Sequence, residues 1–96
     1  MKREAILEVL RTHKPFLVRE MGVKSIALFG SYARGSALPG SDLDLIVEME
    51  TADFQHYIML KTFLEQQFDM PIDLLRKGPH LREQFLKRIE PELVYA

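Results

Sequence analysis

Apolar residues recur along the chain in short groups that Gly and Pro separate. The N-terminal group has the i, i+3, i+4, i+7 spacing of an amphipathic helix and consists of Ile6, Val9, Leu10 and His13. Pro15 has no amide hydrogen and crowds the preceding turn, so we expect this helix to end or kink near His13. A second helical piece is predicted over 15–21, with Gly22 as its C-terminal stop.

Three apolar runs have the length of buried strands. They cover residues 23–29, 42–49 and 71–76, and the Pro that begins the third run suits the start of a strand. The segment 30–40 between the first two runs is rich in Gly and predicts a turn region, with one helical turn over 31–34.

Two further helices and a short tail complete the predicted elements. Residues 53–68 predict a helix capped by Asp53, with one apolar face formed by Phe54, Tyr57, Ile58, Leu64 and Phe68. Residues 81–89 predict another helix, which ends before Pro91. Its inward-facing residues are expected to be Leu81, Phe85, Leu86 and Ile89. Residues 93–95 are expected to add an edge strand. This order predicts an α/β (α+β) fold, a small mixed sheet covered by helices mainly on one face.

Composition restricts the class of protein. A length of 96 residues predicts a single domain over 1–96. The 13 Lys and Arg nearly balance the 14 Asp and Glu, which argues against a general binder of nucleic acid or membrane surfaces. The absence of cysteine excludes disulfides, iron–sulfur clusters, thiolate zinc sites and thiol catalysis. No run approaches the ~18 apolar residues of a membrane span, so we expect a soluble, cytoplasmic protein.

Asp42 and Asp44 lie two residues apart at the start of the second predicted strand. Side chains two apart in a strand share a face, and their Cα atoms lie about 7 Å apart at ~3.4 Å per residue. Neighbouring carboxylates repel unless a cation joins them, and Mg²⁺ is the hard cation suited to oxygen ligands. Two such ions about 3.5–4 Å apart serve in-line phosphoryl and nucleotidyl transfer. Taken alone, however, an Asp-x-Asp pair is more often a solvated strand end.

A third carboxylate, Asp73, stands between Ile72 and Leu74 in the third predicted strand. A charge in so short an apolar strand is unfavourable unless it serves a site or faces water at the strand end. If this strand pairs beside the second, all three carboxylates converge on one spot.

The dipeptide Gly30-Ser31 closes the first predicted strand and opens the helical turn. A glycine allows a phosphate to approach the backbone closely, and the N–H groups at a helix start point outward. The Ser31 hydroxyl is a further donor or a plain N-cap, and Arg34, one turn on, reaches a triphosphate or is simply solvated. Gly-Ser followed by Asp-x-Asp and a later strand Asp indicates a nucleotide site.

These residues together resemble the minimal nucleotidyltransferase (MNT) family of the DNA polymerase β-like superfamily. The family pattern is an apolar residue before Gly-Ser, then Asp-x-Asp in the next strand and a later strand Asp. The matching positions are Phe29-Gly30-Ser31, Asp42-Leu43-Asp44 and Ile72-Asp73-Leu74. The stretches GSYARGS, SDLDLIVE and IEPELVYA are also similar to the family, and the resemblance covers nearly the whole chain. It implies the DNA polymerase β-like nucleotidyltransferase fold.

The resemblance also implies a role for each matched residue. Asp42 and Asp44 would hold two Mg²⁺ ions, and Asp73 would bind one of them while helping to deprotonate the acceptor hydroxyl. Gly30 and Ser31 would hold the β- and γ-phosphates of ATP.

Members of this family often pair with a helical HEPN-domain protein, as in the MntA-type antitoxins. These proteins transfer AMP from ATP to a tyrosine of the HEPN toxin, an RNase, and so silence it. Almost every residue of the present chain is used in its sheet and helices, so we expect another chain to supply the acceptor surface. The resemblance therefore predicts a Mg²⁺-dependent protein adenylyltransferase that acts as an antitoxin by AMPylation, in a hetero-oligomer with its HEPN-domain toxin.

Two alternatives stay open. The first is a non-catalytic binding module that inhibits its partner by occlusion, and the intact set of carboxylates argues against it. The second is a nucleotidyltransferase with a small-molecule acceptor such as an antibiotic, and the lack of residues for an acceptor-binding lobe argues against that.

Overall fold

The helices and strands of the protein follow the predicted order. The structure, a computed structural model, describes residues 1–51 and 53–96. Within this part of the chain, no helix has both the length and the apolar character needed to cross a membrane. The elements are α1 Arg3–Met21, β1 Val23–Phe29, α2 Gly30–Arg34, β2 Leu43–Met49, α3 Phe54–Phe68, β3 Ile72–Arg76, α4 Glu83–Ile89, a 3₁₀ turn Glu90–Glu92 and β4 Val94–Tyr95.

The first helix, α1, runs without interruption from Arg3 to Met21, so the predictions that it ends near His13 and that a separate piece covers 15–21 are wrong. Residues on both sides of Pro15 bury their side chains in one core, which favours a single helix over two pieces. Pro15 itself is exposed, so the carbonyl that loses its helical partner lies on the solvent side, where water can bind it. Gly22 ends the helix as predicted, with a left-handed φ of 68° and its N–H bonded to the Leu17 carbonyl.

The sheet has the strand order β3-β2-β1-β4. β1 pairs antiparallel with both β2 and β4, whereas β2 and β3 are parallel and need the crossover helix α3 between them. The register places Phe29 opposite Asp44 and Asp44 opposite Asp73. The end of β1 and the starts of β2 and β3 therefore meet at one end of the sheet.

The predicted mixed sheet with helices mainly on one face is confirmed. The long helices α1 and α3 pack on one face, where Leu43, Leu45 and Val47 of β2 are fully buried as expected. The opposite face carries a smaller cluster, in which Ala27, Phe29 and Ile46 of the strands pack with α4. The alternation of β2 thus sends its apolar odd-numbered residues to the large core and its even-numbered residues, Asp44 included, to the α4 side.

The buried face of α3 agrees with the predicted one at Leu64 and Phe68 but not at Phe54 and Ile58. Leu60, Leu64 and Phe68 are buried, whereas Phe54 is 70% exposed and Ile58 41% exposed. At 3.6 residues per turn, Ile58 lies about 120° around the helix from Leu64, while Leu60 lies about 40° from it. The prediction was wrong because it grouped apolar residues without fixing their angles. Asp53 caps the helix as predicted and accepts the His56 N–H at 2.6 Å.

Two variants of α3 test this corrected face. Leu60→Ala removes a fully buried side chain and is expected to lower the free energy of unfolding by about 2–5 kcal/mol. Ile58→Ala removes an exposed one and is expected to change it by less than about 0.5 kcal/mol. Urea denaturation of both variants measures the difference, and similar losses in the two would contradict the assigned orientation.

Candidate active site

Three carboxylates meet at the end of the sheet where β2 and β3 begin. Asp42 directly precedes β2, and Asp44 and Asp73 are the second residues of β2 and β3. The parallel pairing sets Asp44 and Asp73 opposite each other. Ile46 and Leu75, two residues further along each strand, pack in the α4 cluster, so both carboxylates lie on that side of the sheet. The sequence predicted that the three carboxylates converge if the third strand pairs beside the second, and the fold has this pairing.

The carboxylates influence one another electrostatically. Asp44 is half-buried, and this burial raises the pKa of its carboxyl above the ordinary value. The negative charges of Asp73 and Asp42, together with a hydrogen bond to Asp73, raise this pKa further, while the charge of Arg34 opposes them. The site therefore concentrates negative charge on a partly desolvated carboxylate, an arrangement that a bound cation would relieve.

The donor set fits a hard divalent cation by its chemistry. All three groups offer carboxylate oxygens, the ligands that Mg²⁺ prefers. Among residues 1–51 and 53–96, no group of three His, Cys, Asp or Glu side chains is already arranged around a metal position. Asp42 and Asp73 are exposed, so their side chains have room to turn toward a cation beside Asp44.

Two hydrogen bonds between Leu38 and Ser41 close the loop that precedes Asp42. The hydroxyl of Ser41 accepts the Leu38 N–H at 2.9 Å, and the Ser41 N–H donates to the Leu38 carbonyl at 2.9 Å. This reciprocal pair fixes the backbone immediately before Asp42. The predicted turn region thus ends in a defined connection to β2.

Gly30 lies against Asp44, and the contact explains why no side chain fits there. Gly30 is buried and has a left-handed φ of 76°, a conformation that favours glycine. A Cβ at this position would overlap Oδ2 of Asp44 and lie 2.9 Å from its Cγ. The two motifs found in the sequence, Gly-Ser and Asp-x-Asp, are therefore in direct contact in the fold.

The short helix α2 carries the other two residues of the predicted nucleotide site. Ser31 is half-buried in its first turn. Arg34, at its last position, is exposed, and its Nη1 lies 3.0 Å from Oε2 of Glu92. The positive charge of Arg34 also acts on Asp44, where it lowers the pKa of that carboxyl. The structure thus places Gly30 against Asp44, with Ser31 next to Gly30 in the chain and Arg34 at the last position of the same short helix.

Glu92 is a residue of this region that the sequence analysis did not identify. Its Oε1 accepts the Gly30 N–H at 2.9 Å, and its Oε2 accepts from Arg34. The hydrogen bond from the Gly30 N–H lowers the pKa of Glu92 below its ordinary value, and burial works in the opposite direction. The hydrogen bond and charge of Arg34 and the charge of Arg88 lower this pKa further. The contact with Gly30 joins residues 62 apart, so local spacing could not reveal it. Its one signal in the sequence is the family-like ending IEPELVYA.

Comparison with known proteins identifies the family of the chain. The nucleotidyltransferase domain family matches residues 10–95. A protein of Methanocaldococcus jannaschii, provisionally named a protein adenylyltransferase, is 40% identical over 92 residues, which cover 95% of this chain and 94% of that protein. Protein adenylyltransferase MntA of Thermococcus cleftensis is 36% identical over 94 residues, which cover 97% of this chain and 94% of that protein.

Solved structures share the fold. One that is provisionally identified as a minimal nucleotidyltransferase matches with a TM-score of 0.82 and 26% identity, over 98% of this chain and 95% of that one. A chain from the complex of a tri-AMPylated Shewanella oneidensis HEPN toxin with an MNT antitoxin matches with a TM-score of 0.58 and 21% identity, over 97% of this chain and 66% of that one. The present chain belongs to the nucleotidyltransferase domain family. The resemblance to minimal nucleotidyltransferases and the fold that it implied are confirmed.

Proposed function

We propose that the protein is a Mg²⁺-dependent adenylyltransferase that moves AMP from ATP to a tyrosine of a HEPN-domain RNase toxin and thereby acts as its antitoxin. The observation that carries the proposal is the convergence of Asp42, Asp44 and Asp73 beside Gly30. The relatives named protein adenylyltransferase support the reaction, and the complex of an AMPylated HEPN toxin with an MNT antitoxin supports a HEPN toxin as the modified partner.

Each residue has a role in this proposal. Asp42 and Asp44 would hold two Mg²⁺ ions, and Asp73 would bind one of them. Bound Mg²⁺ supplies charge stabilisation for the phosphates during in-line displacement. The Ser31 hydroxyl and the N–H groups of Arg34 that Glu92 does not use bind the β- and γ-phosphates. Gly30 allows a phosphate to approach the backbone closely. It does not donate its own N–H to the phosphate, because that N–H is bonded to Glu92.

The proposed reaction is a single displacement at the α-phosphorus. The acceptor oxygen forms the new O–P bond, the bond between the α-phosphorus and the bridging oxygen breaks, and pyrophosphate leaves. Asp73 accepts the proton of the acceptor hydroxyl, since its exposed carboxylate is on the edge strand β3, where a second protein can reach it. The tyrosine then carries AMP through a phosphodiester bond.

The acceptor is proposed to come from a separate chain because the described residues are committed to the sheet and its two helical layers. A helical partner that docks at the open side of the carboxylates places its tyrosine in line with the α-phosphorus. Such orientation supplies a large share of catalysis, up to roughly 7–11 kcal/mol in favourable cases. The hetero-oligomer is therefore part of the proposed active site.

The test combines the protein, ATP, Mg²⁺ and a HEPN-domain protein, sought first among the products of the adjacent genes, followed by intact-mass measurement of that partner. The wild type is expected to add AMP units to the partner and to abolish its RNase activity. Asp73→Asn is expected to add none, yet to co-elute with the partner, because the change removes one charge from an exposed side chain. Asp69→Asn, a neutralised aspartate in the turn before β3, is the matched control and should transfer AMP normally.

Full inhibition of the unmodified partner by stoichiometric Asp73→Asn would support occlusion and contradict the enzymatic proposal. A partner that gains no mass with the wild type, while a small hydroxylated molecule does, would favour a small-molecule acceptor.

A further inference from the structure

We infer that Glu92 is a positioning residue for nucleotide binding, which holds Arg34 and the Gly30–Ser31 turn in the arrangement that receives the phosphates of ATP. The inference rests on the proposed function, because it takes this turn as the phosphate-binding part of the site. It assigns a role to the C-terminal segment, which supplies none of the residues predicted for catalysis.

The need for such a residue follows from the length of α2. The helix has five residues, and helices this short are unstable by themselves because nucleation is costly. Glu92 contacts both of its ends, with one oxygen on the Gly30 N–H and the other on the Arg34 guanidinium. A further bond, from Nη1 of Arg3 to the Ala33 carbonyl at 3.1 Å, supports the last turn from α1. The phosphate-binding turn is thus held by contacts from outside the helix.

Glu92 is anchored to the sheet through β4. The 3₁₀ turn that carries it leads into β4, whose residues Val94 and Tyr95 pair with Leu28 and Ala27 of β1. β1 ends at Phe29, directly before Gly30. Glu92 is thus attached through β4 to β1, and its carboxylate supports the turn that follows β1. The pairing of the two strands resists movement of Glu92 relative to that turn.

The bond to Glu92 leaves Arg34 able to bind phosphate. A guanidinium has five N–H donors, and one nitrogen of Arg34 is engaged by Glu92. The Glu92 carboxylate also has the Gly30 N–H as a partner and the positive charge of Arg88 nearby. Arg34 can therefore present its remaining donors to a phosphate in a fixed orientation, which reduces the ordering cost of binding.

The experiment follows Mg·ATP binding to the isotope-labelled full chain by NMR titration without any partner. Glu92→Gln keeps an oxygen for the Gly30 N–H but loses the charge toward Arg34, and Glu92→Ala loses both. The matched control is Glu90→Gln, which neutralises an exposed glutamate in the same 3₁₀ turn. We expect the Kd to rise about tenfold in Glu92→Gln and by up to about a hundredfold in Glu92→Ala, with no change in Glu90→Gln.

Transfer kinetics with the partner supply a readout that general loss of structure would not give. Removing a contact made equally in the bound state and the transition state raises KM and leaves kcat unchanged. Glu92→Gln is therefore expected to raise KM for ATP about tenfold while kcat stays within about twofold of wild type. The Gly30 amide resonance should shift little in Glu92→Gln and strongly in Glu92→Ala.

An unchanged Kd in Glu92→Gln, with transfer intact in the wild type, overturns this inference alone. Tighter binding in Glu92→Ala also overturns it, because Glu92 would then compete with phosphate for Arg34 and Gly30. A wild type that binds Mg·ATP but transfers no AMP to the partner overturns the proposed function instead. The two failures are thus distinguishable.

Discussion

Asp44→Asn is expected to abolish AMP transfer while the folded protein stays as stable as the wild type or becomes more stable. The change removes a negative charge from the centre of the proposed metal site, and the loss of transfer should reach at least about 10²–10³-fold, as for removal of one charge-stabilising group. The side chain keeps its shape, so its contact with Gly30 remains.

The direction of the stability change follows from the raised pKa of Asp44. Burial and the charges of Asp73 and Asp42 make the ionised form of Asp44 less favourable in the folded chain than in the unfolded one. At about pH 7, where the unfolded chain ionises this group, a neutral amide avoids that penalty. Thermal unfolding without metal measures the stability, and intact mass of the partner measures transfer.

Glu48→Gln is the matched control for Asp44→Asn, because Glu48 lies on the same strand and on the same side of the sheet, four residues away. It should transfer AMP at the wild-type rate. Substantial transfer by Asp44→Asn with Mg²⁺ present would exclude Asp44 as a metal ligand. A marked fall in its unfolding temperature would contradict the assigned repulsion.

Gly30→Ala is expected to lower both stability and transfer, and more severely than the same change at Gly35. Both glycines have left-handed φ angles, of 76° and 77°, so an alanine at either costs about 1–2 kcal/mol in backbone strain. At Gly30 the new methyl group also overlaps the Asp44 carboxylate, which adds about 1–3 kcal/mol. At Gly35 a Cβ would meet no other described atom within 4 Å.

Urea denaturation should therefore show a loss of about 2–5 kcal/mol for Gly30→Ala and about 1–2 kcal/mol for Gly35→Ala. Transfer should fail in Gly30→Ala under conditions where it stays folded, because Asp44 must move to admit the methyl group. Equal stability and normal transfer in the two variants would show that the contact between Gly30 and Asp44 has no importance.

The strands and most of the bounds of the helices and strands were predictable, because they depend on residues that are close together in the sequence. The run 23–29 is apolar and ends at Gly30, and the structure has a strand with those bounds. The Pro15 break and the buried face of α3 were predicted wrongly for a related reason. Local rules describe an isolated helix, whereas the shared core of α1 and the position of α3 over the sheet decide which residues are buried.

The candidate site was predictable in part for the same reason. Gly-Ser and Asp-x-Asp are short motifs whose spacing is visible in the sequence. The convergence of Asp44 with Asp73 depended on which strands become neighbours, a choice that no local pattern makes. Glu92 stayed hidden because its partners, Gly30 and Arg34, lie far away in the chain and are brought to it by the pairing of β4 with β1.

The parallel pairing of β2 with β3 links ligand occupancy to the folding of the chain. Asp44 and Asp73 become neighbours only after the segment that contains the whole of α3 has crossed over, and such non-local pairs form slowly because loop closure must come first. A ligand that needs both carboxylates binds the native state and not the unfolded chain. At a hundredfold excess over its Kd, such a ligand stabilises the folded state by about 2.7 kcal/mol. In the proposed function, cellular nucleotide and metal levels would therefore affect the lifetime of the protein against proteolysis as well as its rate of reaction.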